Sequence, residues 1–151
     1  MFSKKQSFIT LTLLSVVSFD LYTFCDSSGF WGYANSADTA SVEITQDMFE
    51  KEVLQSDIPV ILDVYAVWCG PCQMLKPIFA QVAQEFKDSC KLVSIDYDKN
   101  LKLTSTLEIR CFPTMLVYHK GKIVQRLEGF PGNKEELAKF VQAVVDSAAQ
   151  N

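Results

Sequence analysis

Residues 59–79 read PVILDVYAVWCGPCQMLKPIF, and the fold turns on how this stretch divides. Its first nine residues, PVILDVYAV, form a nearly continuous apolar run rich in β-branched side chains, as a strand covered on both faces requires. Beyond the dithiol, Met74, Leu75, Ile78, Phe79, Val82 and Phe86 recur on one face of a long helix, with a kink predicted at Pro77. Cys69 and Cys72 therefore lie at a strand-to-helix junction. Residues three apart in a first helical turn share a side, close enough for a disulfide. Cys69 there meets unpaired backbone N–H groups and the positive end of the helix dipole, which favour thiolate over thiol. Cys72, one turn further in, is the less accessible thiol expected to resolve a mixed disulfide on Cys69. Pro71 fixes the helix start.

Working outward, SVEI (41–44) is a short strand and Thr45 can cap a helix carrying Met48, Phe49, Val53 and Leu54. KLVSIDYD (91–98) is a second buried strand, followed by a helix from about Lys99 to Leu107. Residues 114–128 read as two strands joined at HKGK, where Gly121 suits a tight antiparallel turn. Asn133 with Glu136 three residues later is an N-cap signature for a helix burying Leu137, Phe140, Val141 and Val144. Strands separated by helices pair in parallel through crossovers, and the hairpin adds an antiparallel edge. The expectation is an α/β domain with a mixed central sheet and helices on both faces.

The composition fits such a domain: 48% of the 151 residues are apolar and 21% charged. A net charge of −4, with no run of three basic residues, argues against a nucleic-acid surface. Four ligands make a zinc site, but Cys25, Cys90, Cys111 and the single histidine, His119, form no second pair at ligand spacing, so no metal is expected. Nor is a structural disulfide the better account, because so short a loop stabilises little.

The N-terminus reads separately. Lys4 and Lys5 precede an uncharged apolar stretch, Phe8 to Phe19, that Asp20 ends. Its length is that of a signal-peptide core and short of the roughly 20 residues that span a bilayer. Cleavage after Ala34 or Ala37 fits the small residues there. An uncleaved anchor within residues 1–24 is the second reading. A lipoprotein at Cys25 is the third and weaker one, since Phe24 fills a place that wants a small residue. Residues 1–40 are thus expected to be an export signal or membrane anchor with a linker, and 41–151 a domain outside the cytoplasm, periplasmic or anchored facing outward.

WCGPC (68–72) after a buried strand, CFPT (111–114) before the next and Gly129 together resemble the thioredoxin family, over about Val42 to Ala148. The resemblance implies a protein thiol–disulfide oxidoreductase with Cys69 attacking and Cys72 resolving. Gly70 and Pro71 shape the active turn, and Trp68, Phe112, cis-Pro113 and Gly129 line the substrate groove. Asp63, the one charge in its strand, is costly there unless paired or used. The family places an acid at this position, which implies general acid–base work on Cys72. Many family members carry a lysine near that acid, but the matching place here is Leu92, so Asp63 is expected to hold its proton more readily. Cys111 falls at the groove's edge, and Cys90 reads as a core or surface thiol.

Expected partners are proteins with disulfides or thiols and an upstream thiol–disulfide donor or acceptor, with no cofactor. Gly-Pro between the cysteines resembles the reducing members, while an oxidising compartment also offers disulfides to reshuffle. The alternative is a thioredoxin-fold subunit or chaperone that grips a partner without turnover.

Overall fold

The computed structural model describes residues 41–150. The readings of residues 1–40 as export signal, anchor or lipoprotein fall outside them. Among the described residues no helix is long and apolar enough to cross a membrane.

The central strand is the one the apolar run requires. β2 (Val60–Tyr65) buries Val60 through Val64 and lies between β3 (Lys91–Asp96), parallel to it, and β4 (Thr114–His119), antiparallel. β1 (Val42–Glu43) pairs with β3 in parallel and β5 (Lys122–Glu128) with β4 antiparallel, giving the order β1-β3-β2-β4-β5. Because side chains alternate along a strand, the sheet offers two apolar faces. Ile61, Leu92, Met115 and Val117 pack beneath α2 (Gly70–Phe86) and α4 (Lys134–Ala149), meeting Leu75, Phe79, Val82, Leu137 and Val141. On the other face Leu62, Val64, Val93, Ile95 and Leu116 meet Phe49, Val53 and Leu107. The mixed sheet with helices on both faces is the expected α/β architecture.

Several elements differ from the sequence reading. Thr45 stands at the N-cap of α1 (Gln46–Phe49) but its hydroxyl makes no capping bond. The Gln46 N–H donates instead to Asn100 Oδ1, at 2.9 Å, across 54 residues of sequence. α1 then widens into a π-helical turn over Glu50–Leu54, closed by the Gln55 N–H donating to the Glu50 carbonyl at 2.9 Å. β2 ends at Tyr65 rather than Val67. Met74, expected on the buried face of α2, is 54% exposed, and Phe140 on α4 is only partly buried. α2, as read, continues past Pro77 to Phe86.

The segment after β3 breaks into a 3₁₀ turn (Asp98–Asn100), a short α3 (Leu101–Thr104) and a second 3₁₀ turn (Ser105–Leu107). Polar side chains compete with the helical ladder here. Asp96 Oδ1 accepts from the Asp98 and Lys99 N–H groups at 3.0 and 3.4 Å. The Thr104 hydroxyl donates to the Tyr97 and Asn100 carbonyls, each at 3.1 Å.

The hairpin and last helix form as read. Lys120 and Gly121, with φ of 51° and 75°, make the two-residue turn between β4 and β5, the pattern of a type I′ turn. Asn133 Oδ1 accepts from the Glu136 N–H at 2.9 Å, capping α4.

Candidate active site

β2 stops at Tyr65, and the chain crosses Ala66, Val67 and Trp68 to begin α2 at Gly70. Cys69 is the N-cap residue in extended conformation, with Pro71 in the first turn. The Cys69 N–H donates to the Ala66 carbonyl at 3.1 Å, and the Gln73 amide nitrogen Nε2 to the Val67 carbonyl at 2.6 Å, which pin the turn from both sides. Cys69 and Cys72 are joined as a disulfide with their Cα atoms 5.3 Å apart. The Cys72 N–H donates to Cys69 Sγ at 3.2 Å. An N–H aimed at that sulfur, at the positive end of a 17-residue helix, stabilises charge on Cys69 once the bond is reduced. In the disulfide form Cys69 and Cys72 are buried almost alike, 6% and 5% exposed.

Around the pair the chain gathers an aromatic platform. Trp68 is 69% exposed, yet its indole N–H donates to Asp98 Oδ2 at 2.8 Å, which holds the ring in place. Phe112 lies edge-on to Trp68, centroids 5.4 Å apart, and to Tyr97, at 5.1 Å. Phe112 and Tyr65 also pack against Ala66, Cys69 and Cys72. The Phe112–Pro113 bond is cis. Gly129, at φ 87°, donates its N–H to the Pro113 carbonyl at 2.8 Å. Phe112 and Trp68 thus stand beside the dithiol, and Gly129 is joined to the cis-Pro113 loop. Gly70 lies in the turn itself.

Asp63 is placed by register. It sits opposite Ser94 on β3 and Met115 on β4, 4% exposed, and its Oδ1 has no hydrogen-bond partner among the described residues. Burial alone pushes its carboxyl up to about 7. Leu92, matched from the sequence to the lysine position, instead pairs with Ile61 and is 2% exposed in the core beneath α2, so the β3 residue beside Asp63 is the uncharged Ser94. Asp63 and Cys72 line one cleft of about 450 Å³, shared with Lys76, Ser94 and Tyr65. A carboxyl near neutrality beside the inner sulfur can take and return a proton at working pH.

Of the remaining cysteines, Cys90 is fully buried and its thiol is pushed up to about 12 by burial, which leaves it unreactive. Cys111 is exposed, its Sγ 3.9 Å from Thr114 Oγ1. Among the described residues no group of three or more histidine, cysteine or acidic side chains could hold a metal ion. Sequence reasoning missed Asp98, which anchors Trp68, and Tyr65. For Tyr65 a signal existed, since alternation along β2 puts Ile61, Asp63 and Tyr65 on one face.

The family model described as Thioredoxin matches residues 40–143. Thioredoxin 1 of Nostoc sp. is 36% identical over 91 residues, covering 60% of this chain and 85% of that protein. Thioredoxin of Rickettsia felis is 40% identical over 79 residues, 52% of this chain and 75% of that protein. Thioredoxin of Mycolicibacterium smegmatis is 33% identical over 111 residues, 72% of this chain and 99% of that protein.

Proposed function

The chain belongs to the thioredoxin family of thiol–disulfide oxidoreductases, and from that premise we propose that it works outside the cytoplasm, reducing or reshuffling protein disulfides. The observation that carries the redox reading is the Cys72 N–H directed at Cys69 Sγ from the first turn of α2. Export is supported by Lys4 and Lys5 ahead of the apolar stretch Phe8 to Phe19. Reduction is the favoured direction, because Gly70-Pro71 between the cysteines resembles the reducing members; isomerisation is the same exchange on a misbridged chain.

In the reaction proposed, the Cys69 thiolate attacks one sulfur of a substrate disulfide, and the other sulfur leaves as a thiolate. The substrate chain lies over Trp68, Phe112, Pro113 and Gly129. The Asp63 carboxylate then takes the Cys72 proton, and the Cys72 thiolate attacks Cys69 Sγ. This closes the Cys69–Cys72 disulfide and releases the second substrate thiolate. An upstream dithiol returns two electrons.

Insulin-disulfide reduction with dithiothreitol as donor tests the redox half: turnover is expected from the wild type and loss of it from Cys69→Ser. A wild type without turnover would favour a binding role. Residues 1–40 fused to a reporter that folds only outside the cytoplasm test the export half.

A further inference from the structure

Each resolution step loads one proton onto Asp63, and a carboxyl 4% exposed cannot hand it directly to bulk water. The β3 residue that register sets beside it is Ser94, which carries no charge to steady the carboxylate. What the structure offers instead is the cleft. Its wall includes Asp63, and the same cleft is lined by Tyr65, by Glu43 on β1 and by Lys99 beyond β3, the last two exposed. At about 450 Å³ it has room for a file of water molecules.

We propose that Tyr65 and Glu43 are positioning residues for proton transfer, carrying the proton between Asp63 and solvent. The inference rests on the dithiol reading with Asp63 as base. Tyr65 lies two residues from Asp63 on the same face of β2, and it packs against the Cys69–Cys72 cluster. Burial first, then the nearby Glu43 carboxylate, with Asp96 and Asp63 adding less, disfavours its phenolate. Tyr65 therefore passes protons as a neutral hydroxyl, accepting one as it donates another. The other groups facing the cleft are Cys72 and Lys76 from α2, Ser94 opposite Asp63, and Lys99, which pairs with Asp96 at 3.1 Å and lies 3.8 Å from Glu43.

The step balances. Cys72 gives its proton to the Asp63 carboxylate, and its sulfur attacks Cys69 Sγ. The bond from Cys69 to the substrate sulfur breaks, with the electron pair leaving on the substrate thiolate. Asp63 then passes the proton through cleft water to the Tyr65 hydroxyl. Tyr65 donates its own proton to the Glu43 carboxylate, and Glu43 releases it to bulk water. This route stays open while a substrate covers the Cys69 side.

The test follows two successive releases of coloured thiolate when the reduced full-length chain meets an aromatic disulfide. Cys111→Ser is present throughout, so that only the dithiol reports. The first release reads attack by Cys69 and the second reads resolution by Cys72. Tyr65→Phe and the edge-strand variant Glu43→Gln are expected to leave the first phase unchanged. In weak buffer at neutral pH they should slow the second about tenfold, and added imidazole should restore it. Within an Asp63→Asn background, Tyr65→Phe should slow nothing further. Resolution at the wild-type rate in both variants, or slowing that imidazole does not relieve, overturns the proton route. A wild type with no second release overturns the dithiol reading instead.

Discussion

At the scale of single residues, Asp63 sets the terms. Its strand is apolar on both faces, and its in-register neighbours on β3 and β4 are Ser94 and Met115, neither of them charged. A carboxyl raised to about 7 by burial binds its proton more tightly folded than unfolded. Its contribution to stability is therefore fully present below about pH 4, its unfolded range, and is lost as pH rises to about 7. Against Asp63→Asn, the wild type should lose roughly 4 kcal/mol of relative stability across that window and nothing more above it. Urea titrations at several pH values check this, and a flat difference would contradict it. The same variant should slow resolution of the mixed disulfide by about a hundredfold or more, as loss of a general base does. That Asp63 is buried was legible from the run PVILDVYAV. The cleft reaching it was not, because it is walled by three strands and a helix that no local pattern relates.

At the scale of elements, the legible pieces are those whose signals act within a few residues. Asn133 caps α4 three residues ahead of Glu136, and Lys120-Gly121 turns the hairpin. Asn133→Ala should cost about 1 kcal/mol, read as a lowered thermal midpoint. Gly121→Val should cost about 1–3 kcal/mol: its φ is 75° and an added Cβ would meet the Leu54 carbonyl oxygen at 3.1 Å. No change in midpoint for either variant would contradict these roles. The illegible pieces answer to distant partners. Gln46 is bonded by Asn100 rather than by Thr45, and residues 98–107 break into three short turns around the side chains of Asp96, Asn100 and Thr104. From the sequence that segment reads as one helix, from about Lys99 to Leu107.

At the scale of the whole molecule, one sheet supports both the core and the chemistry. The face that buries Ile61, Leu92 and Met115 under α2 also carries Asp63, so packing of α2 fixes Cys72 and the cleft together. Phe79, fully buried between α2 and the sheet, lines that cleft as well. Phe79→Ala should cost about 3–5 kcal/mol and loosen the site with it, seen as a drop in both thermal midpoint and resolution rate. The central claim is that this dithiol is a reductant built on the Gly70-Pro71 turn. Its most direct test is the equilibrium reduction potential of Cys69–Cys72 in the full-length chain, measured in dithiothreitol and glutathione buffers. The account predicts a value near −270 mV, about that of thioredoxins in general, whereas a value near −180 mV, the poise of an isomerase, would contradict it.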